Sequence, residues 1–326
     1  VFEGGWGFAN REESVEFGPD TPVDAASLAK TFVAAGLWQL DFEGRIDILD
    51  PVRRYVPEFG DSSVTVLDLL RHSAGLADLD DPTFMTNAEI AAAVESQLLF
   101  AAGSRFQYCN QCFDILALVT ERASGQRWAD FLQERFFDPL GMSSAFQRPE
   151  FFADWPGVRT LSYRRASEGD VLFDTFDGER FYGSSNLMLS ARDLMAWGRG
   201  YAQGTVLDDR TMKRGRERAW FTAGESSAMN DLNWFQATES GPVYFDGHLR
   251  GFHSVLYWDP DSLVVVAWVS NTLGGRPNEI LFTRDLVNIA NGADVEGAPK
   301  FPGDSMDEFE MEAVPGSYAV RGIGRV

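Results

Sequence analysis

A serine and a lysine three positions apart are the residues of this sequence best suited to chemistry. Ser27 stands at the start of an apolar stretch, and Lys30 follows one helical turn later. Residues three apart on a helix share a face, so the Lys30 ammonium would lie beside the Ser27 hydroxyl. A serine becomes nucleophilic when an adjacent base takes its proton, and a lysine whose charge is disfavoured by burial can be that base. We therefore predict Ser27 as nucleophile and Lys30 as base.

The scarcity of lysine supports this interpretation. The structural alternative is that Ser27 only caps a helix and that Lys30 only extends to water. The chain holds three lysines, Lys30, Lys213 and Lys300, and its other basic residues are arginines apart from three histidines. Lysine can give up its proton and arginine cannot, so a lysine within an apolar helix favours a chemical role.

A second polar pair, Tyr108 and Asn110, lies in the loop of residues 102–110 between two helical runs. Residues two apart in an extended backbone point the same way. A phenol near a cation can carry protons, and an asparagine amide can hold a substrate carbonyl. We predict Tyr108 as a proton carrier and Asn110 as a substrate-binding residue. The alternative is a tyrosine that only anchors a helix entrance.

Helix and turn signals indicate the elements that position these residues. The Ser27 helix should end near Gly44, and residues 78–144 are mainly helical in pattern, with runs at 88–99 and 112–137. Ser190 resembles the start of a capping box that opens another helix. The turn at 259–262 should join two apolar strands as an antiparallel hairpin.

Composition excludes several classes of partner. The chain has 326 residues, 44% of them apolar, which is ample for a globular core. Its formal charge of −21 would repel nucleic acid and anionic membranes, so neither is an expected partner. No apolar stretch reaches the length of a membrane span. The sequence gives no indication of oligomeric state.

The two cysteines form a single Cys-x-x-Cys pattern, Cys109 and Cys112. Such a pair is compatible with a redox couple, half a zinc site or two small buried side chains. There is no second cysteine pair, and the only histidines are His72, His248 and His253, so we expect no structural zinc. Buried thiols are the preferred interpretation, with a redox role as the alternative. His72 is predicted as a helix-end histidine bonded to the backbone.

The order of these motifs resembles the serine beta-lactamase and penicillin-binding-protein superfamily, in particular its class C-like branch of esterases, peptidases and amidases. Ser27-x-x-Lys30 and Tyr108-x-Asn110 match two of its three motifs. Residues 69–76 are similar to its Leu-Leu-x-His-Thr-Ser-Gly-Leu signature. The resemblance covers roughly residues 1–292.

The third motif departs from the family pattern. In a gapless register Phe245-Asp246-Gly247 stands where many relatives have His-Thr-Gly or Lys-Thr-Gly. We assign Phe245, Asp246, Gly247 and His248 to substrate binding in that register, with Gly247 allowing close approach of substrate. A shortened loop would instead place His248 and Arg250 at the motif. Without a cation at position 245, neutral esters or amides are favoured over carboxylate-bearing substrates.

The resemblance implies an α+β fold in which an antiparallel sheet flanked by helices carries an inserted all-helical region. Residues 1–60 and 186–296 would form the sheet domain, 61–185 the helical domain, and 297–326 a tail or the start of a C-terminal module. The compartment depends on what precedes Val1: a signal segment there would direct the chain to the periplasm or outside the cell, and without one it would be cytoplasmic.

The implied activity is hydrolysis of a small-molecule ester, amide or peptide through an acyl-enzyme on Ser27, with Lys30 and Tyr108 as general base and acid. The backbone N–H groups of Ser27 and His248 would form the oxyanion hole. No metal or organic cofactor is expected. One alternative is a beta-lactamase or D-amino-acid peptidase whose Arg250 receives a substrate carboxylate. Another is a binding or regulatory relative disabled by Phe245.

Overall fold

The largest element of the fold is an eight-stranded antiparallel sheet assembled from both ends of the described chain. The computed structural model describes residues 3–60, 63–94, 98–166, 169–173, 177–222, 224, 226–236, 238, 241–273, 279–293 and 318–321. The strands are β1 (Glu3–Trp6), β2 (Phe8–Asn10), β3 (Val15–Glu16), β4 (Val23–Asp24), β5 (Phe146–Gln147), β6 (Tyr163–Ala166), β7 (Gly169–Leu172), β8 (Leu187–Leu189), β9 (Arg218–Trp220), β10 (Ser226–Asn230), β11 (Phe235–Gln236), β12 (Val243–Leu249), β13 (Phe252–Asp259), β14 (Val264–Ser270), β15 (Thr272–Leu273) and β16 (Tyr318–Arg321).

The strand order of the large sheet is β1-β16-β14-β13-β12-β11-β10-β9. Three smaller sheets have the orders β15-β6-β7, β2-β3 and β4-β8-β5. In the large sheet β12, β13 and β14 pair along nearly their whole lengths, whereas β11 covers β12 only at Val243 and Tyr244. Among the described residues, no strand pairs with the rest of β12 on that side, so its far end is an open edge next to the Ser27 turn.

The helices lie around this sheet and in the middle of the chain. They are α1 (Ala29–Phe42), α2 (Val66–Leu70), α3 (Asn87–Ala93), α4 (Asn110–Ser124), α5 (Trp128–Leu132), α6 (Asp138–Leu140), α7 (Ala191–Ala202), α8 (Asp209–Gly215) and α9 (Glu279–Ala290). Within the described part of the chain, no helix is long and apolar enough to cross a membrane.

Helix α1 is buried on almost every side, as its apolar sequence predicts. Phe32 stacks on Trp197 of α7, with ring centroids 3.8 Å apart. On another side Gly36 lies so close to Phe131 that a Cβ there would stand 2.8 Å from the phenyl ring. Because α1 is enclosed by α7 and the middle helices, residues at its start are held rigidly.

The position of strand β14 in the fold accounts for the unbroken apolar run at residues 264–269. Val265, Ala267 and Val269 belong to the main core, while the alternate residues contact α9 through Phe282 and Leu286. A strand covered on both faces carries apolar residues at every position. The antiparallel hairpin predicted for β13 and β14 is confirmed.

Several boundary predictions are confirmed. Ser190 caps α7 in a capping box with Asp193. Helix α1 ends at Phe42, and Gly44 follows with a positive φ of 70°. The run predicted at 112–137 is divided, because Gly125 takes a φ of 72° and ends α4.

The α+β class is confirmed, with one difference at the end of the chain. Residues 297–326 were predicted as a tail or the start of a module, but β16 lies in the main sheet between β1 and β14. Its backbone pairs with Glu3–Trp6 on one side and with residues 267–270 on the other. The remainder of that segment lies outside the described residues. The domain boundaries at 60 and 185 stay a prediction.

Candidate active site

Ser27 lies in a 3-10 turn, Ala26–Leu28, that leads directly into α1. Its side chain does not cap the helix, so the capping alternative does not describe it. The preceding Ala26 has a φ of 49°, a left-handed conformation that costs a non-glycine residue about 1 kcal/mol. The Ala26 N–H donates to Oδ1 of the buried Asp24 at 2.8 Å. This bond holds the strained turn that presents Ser27.

Lys30 is fully buried and points at the serine. Its Nζ donates to Ser27 Oγ at 3.1 Å and to the Ser184 carbonyl oxygen at 2.8 Å. The side chain has 0% exposure, which contradicts the alternative that it extends to water. The second hydrogen bond fixes the Lys30 amino group, so the Ser27–Lys30 geometry depends on a residue 154 positions away.

Tyr108 lies on the other side of Lys30. The centre of its ring is 5.1 Å from Lys30 Nζ, and the ring stacks on His72 with centroids 4.5 Å apart. Two hydrogen bonds tie the loop to His72: the Gln107 N–H donates to its carbonyl oxygen and the Cys109 N–H to its Nδ1, at 2.7 and 3.0 Å. The loop is therefore held to His72, which lies two residues beyond the end of α2.

His72 supports the site and is not placed as a general base. Burial, followed by the positive charge of Lys30, lowers its pKa to about 3, so the imidazole is neutral. Nδ1 accepts the Cys109 N–H at 3.0 Å, and Nε2 lies 2.9 Å from Nδ2 of Asn233. The prediction that His72 bonds to the backbone is confirmed.

Cys109 and Cys112 form a disulfide with a Cα–Cα separation of 5.4 Å. The preferred prediction of two free buried thiols is therefore wrong, because both sulfur atoms face one another across the first turn of α4. The bridge encloses Asn110 and begins one residue after Tyr108. It constrains the backbone that carries both predicted site residues.

Asp114 is a site residue that the sequence analysis missed. It lies on α4 four residues after Asn110, on the same helix face, and its Oδ1 accepts the Ser184 N–H at 2.9 Å. Burial raises its pKa to about 6, against the opposing effects of the Ser184 hydrogen bond and the Lys30 charge. Ser184 thus connects the two buried charges, with its carbonyl oxygen at Lys30 and its N–H at Asp114. The feature of the sequence from which Asp114 could have been predicted is its spacing of four residues from Asn110.

Strand β12 contacts the Ser27 turn through Gly247. A Cβ at this position would stand 2.2 Å from the Ala25 carbonyl oxygen and 3.0 Å from the Ser27 nitrogen. The neighbouring Ser254 hydroxyl donates to the same Ala25 oxygen at 2.7 Å. These contacts favour the gapless register of the third motif. The group that approaches Gly247 closely is the backbone of Ala25 and Ser27, whereas the prediction was a close approach by substrate.

The other residues of the third motif are distributed over two faces of β12. Phe245 is 1% exposed and packs in the core against Phe235, with ring centroids 5.5 Å apart. It is not among the residues that line the cleft, so its predicted substrate contact finds no support in the structure. Asp246 also lies outside the cleft lining, with its Oδ2 3.0 Å from His248 Nε2. Of the four residues predicted at this motif, His248 is the one that lines the cleft.

Arg250 forms an ion pair with both carboxylate oxygens of Glu179. Glu179 is buried, and Arg148 lies 3.5 Å from it and 3.8 Å from Asp24. Arg250 therefore serves this buried charge network. That geometry disfavours the alternative in which Arg250 receives a substrate carboxylate.

A cleft of about 550 Å³ opens above the serine. Its lining residues are Ala26, Ser27, Asp78, Leu79, Pro82, Tyr108, Asn110, Gln111, Asp114, Phe181, Ser184, Ser185, His248 and Leu249. Four of the predicted site residues, Ser27, Tyr108, Asn110 and His248, thus share one cavity, with Lys30 buried behind it. Within the described chain, the charged lining residues are the two acids Asp78 and Asp114, and no arginine or lysine lines the cleft.

Known proteins are similar to this chain in sequence and in fold. The family described as Beta-lactamase matches residues 1–287. The D-aminopeptidase of Brucella anthropi is 27% identical over 312 residues, covering 90% of this chain and 57% of that protein. The penicillin-binding protein from Bacillus halodurans superposes with a TM-score of 0.70 at 21% identity, covering 83% of this chain and 87% of that one. The D-amino acid amidase from Ochrobactrum anthropi gives 0.65 at 20%, covering 83% and 82%.

The chain spans 57% of the length of the Brucella anthropi D-aminopeptidase and 66% of the length of the Bacillus subtilis protein described as Putative penicillin-binding protein PbpX, which is 24% identical over 270 residues. The solved structures are similar in fold, and the family match extends over 287 of 326 residues. On these grounds the chain belongs to the Beta-lactamase family.

Proposed function

We propose that the protein is a serine hydrolase that cleaves an ester or amide bond through an acyl-enzyme on Ser27. The observation that carries this proposal is the 3.1 Å hydrogen bond between Lys30 Nζ and Ser27 Oγ inside a buried site that opens to a cleft. A nucleophile with its base in hydrogen-bond reach, and the base oriented by a third group, is the arrangement that activates a serine. Here the third group is the Ser184 carbonyl.

The reaction would proceed in two stages. Ser27 Oγ attacks the substrate carbonyl carbon and its proton passes to Lys30, in the neutral amine form. Through the Tyr108 phenol the proton reaches the leaving alcohol or amine as its bond to the carbonyl carbon breaks. Water then attacks the ester on Ser27, giving its proton to the same groups, and the acid is released with Ser27 restored. Asn110 would hold the acyl part.

The oxyanion would be bound by the N–H groups of Ser27 and His248. Arg250 and Gly251 have φ angles of 46° and 86°, typical of a two-residue type I′ hairpin. In such a hairpin Leu249 and Phe252 are a hydrogen-bonded pair, so the next pair, His248 and His253, is not. The His248 N–H then points away from β13, toward the open edge beside Ser27. Each such donor contributes about 3 kcal/mol to transition-state stabilisation.

The charge of the cleft supports a substrate class. Asp78 is exposed at the cleft and Asp114 is buried in it, while Arg250 is engaged by Glu179. A substrate carboxylate would meet no lining cation among the described residues, whereas a substrate ammonium would meet Asp78. We therefore propose amides or esters that carry a free amine near the scissile bond. The relatives whose names are D-aminopeptidase and D-amino acid amidase act on substrates of this chemistry.

The experiment compares three substrates: D-alanine p-nitroanilide, its N-acetyl derivative, and a chromogenic cephalosporin. The proposal predicts the highest kcat/KM for the free amine and the lowest for the carboxylate-bearing cephalosporin. Asp78→Asn should raise KM for the free amine and leave the N-acetyl substrate unchanged, because only the former presents an ammonium. Asp80→Asn, a nearby exposed acid outside the cleft lining, is the matched control.

Other outcomes would favour the alternatives. Fastest turnover of the cephalosporin would favour a beta-lactamase. Binding of these compounds without turnover of any would favour a binding relative with a disabled site.

A further inference from the structure

Two histidines and an aspartate meet on the hairpin of β12 and β13. His248 stands opposite His253 in the strand register, and their rings stack with centroids 3.7 Å apart. Asp246 precedes His248 by two residues and so shares its face of β12. Its Oδ2 is 3.0 Å from His248 Nε2. One potential ligand atom from each of the three residues lies within 4.8 Å of the other two.

The geometry of the hairpin positions the side chains of His248 and His253. Because the turn at Arg250 and Gly251 has two residues, His248 and His253 form a pair that is not hydrogen-bonded, in which side chains come closest. The Arg250 side chain is in turn fixed by the buried Glu179. His253 is fully buried and packs edge-on against Trp268, with centroids 4.4 Å apart. The two imidazoles are thus held together by the turn and by the core.

The donor atoms suit a transition metal. Two imidazole nitrogens and a carboxylate oxygen are a ligand set of Zn²⁺, which binds each at about 2.0–2.2 Å and keeps a fourth position for water. Tetrahedral ligands at that distance stand about 3.3 Å apart, close to the 3.0 Å between Asp246 and His248. His248 and Asp246 are 39% and 29% exposed, which leaves an entry path. The net charge of −21 also attracts cations.

We propose that the β12–β13 hairpin binds one divalent transition-metal ion of the Zn²⁺ type through Asp246, His248 and His253. The ion has no part in the acyl-transfer steps above, and it would lock the strand whose His248 N–H faces Ser27. A structural zinc was not expected, because the sequence has no second cysteine pair and only three histidines. The ligands here are brought together by a strand register that the linear spacing does not reveal.

Co²⁺ titration of the full chain, prepared without a histidine tag, tests the proposal. A tetrahedral cobalt absorption band should grow to one equivalent and disappear when Zn²⁺ is added. Native mass spectrometry should show one bound zinc, and Zn²⁺ should raise the melting temperature. His248→Ala and Asp246→Asn should each weaken binding about tenfold or more.

Two variants make the outcome specific. Asp80→Asn, which changes an exposed acid that is not one of the three proposed ligands, should bind the metal like the parent chain. Ser27→Ala should do so too, which separates this proposal from the hydrolase proposal: a chain that binds zinc but cleaves nothing refutes only the latter. Absence of both the cobalt band and the zinc-bound mass would overturn the metal site. Parent-like affinity in His248→Ala would overturn it as well, and would leave Asp246 and His248 as a hydrogen-bonded pair only.

Discussion

The main chain of Gly247 passes so close to Ala25 that a Cβ on residue 247 would stand 2.2 Å from the Ala25 carbonyl oxygen. Ala25 is two residues before the proposed nucleophile, so this contact sets the distance between Ser27 and β12. A side chain at position 247 would move the strand or the turn. Displacements of about 1 Å at a reacting centre can cost about a hundredfold in rate.

Gly247→Ala is therefore expected to lower kcat/KM about a hundredfold or more. Gly18→Ala is the matched control, because a Cβ there meets no atom within 4 Å and Gly18 has no positive φ. Steady-state kinetics and circular dichroism of both variants would check the prediction. Near-parent activity of Gly247→Ala would contradict the contact and the register on which the oxyanion hole depends.

Asp114 should make the activity depend on pH near 6. Burial raises the pKa of Asp114 to about 6, against the opposing effects of the Ser184 hydrogen bond and the Lys30 charge. Its Oδ1 accepts the Ser184 N–H, and the Ser184 carbonyl oxygen accepts from Lys30 Nζ. Protonation of the carboxylate as the pH falls through about 6 should disturb this connection and lower kcat/KM. In Asp114→Asn the side chain cannot titrate, so the limb near pH 6 should disappear.

The pH profile distinguishes this role from a purely structural one. A variant that merely damages packing would lose activity at every pH without moving the limb. Asp80→Asn should retain the parent profile. A limb near pH 6 that persists in a folded Asp114→Asn protein would show that the titration of Asp114 does not control the activity.

His72 should make the fold sensitive to acid. Its pKa is lowered to about 3 in the folded chain, against about 6.5 in the unfolded chain. Between these values the unfolded state binds the proton and the folded state does not. The free energy of unfolding should therefore fall by about 1.4 kcal/mol for each pH unit as the pH drops from 6.5 toward 3.

Urea unfolding of His72→Asn at several pH values would test this, since asparagine tolerates the φ of 54° at position 72. The variant should be less stable than the parent near neutral pH. Its dependence on pH should be shallower by about 1.4 kcal/mol per unit. Equal slopes for parent and variant would mean that His72 is already protonated when folded.

The Cys109–Cys112 disulfide should support activity more than stability. It closes a short loop, so its loss should cost about 2 kcal/mol or less in unfolding free energy. Tyr108 and Asn110 flank Cys109, so reduction should lower kcat/KM while the chain stays folded. The Cys109→Ser/Cys112→Ser double variant should have this reduced activity and no response to dithiothreitol. A parent chain whose activity is the same in oxidant and reductant would contradict the prediction.

The local part of the site could be predicted from sequence, because helical and extended spacings place nearby residues together. Ser27 with Lys30, and Tyr108 with Asn110, follow from periodicity alone. Gly247 was identified from the order of motifs. The α+β class followed from the resemblance that those motifs carry, and the fold confirms it.

The parts that sequence could not supply depend on contacts between distant segments. Ser184 lies 154 residues from Lys30 in the sequence. No pattern of residues around Ser184 predicts that its carbonyl oxygen accepts a hydrogen bond from the Lys30 amino group. Arg250 was the candidate to bind a substrate carboxylate. It pairs instead with the buried Glu179, which lies 71 residues away in sequence. Phe245 was predicted to contact substrate, although the alternation of a strand does not tell which face is buried. In the structure its ring packs against Phe235 in the core.

Labelling with a fluorophosphonate would show whether Ser27 is an activated nucleophile. Intact mass spectrometry of the treated chain should show one adduct, and peptide mapping should place it on Ser27. The adduct should be absent from Ser27→Ala and from Lys30→Ala, since the latter lacks the base 3.1 Å from the hydroxyl. An unlabelled chain that is shown to be folded, or an adduct on another residue, would contradict the assignment.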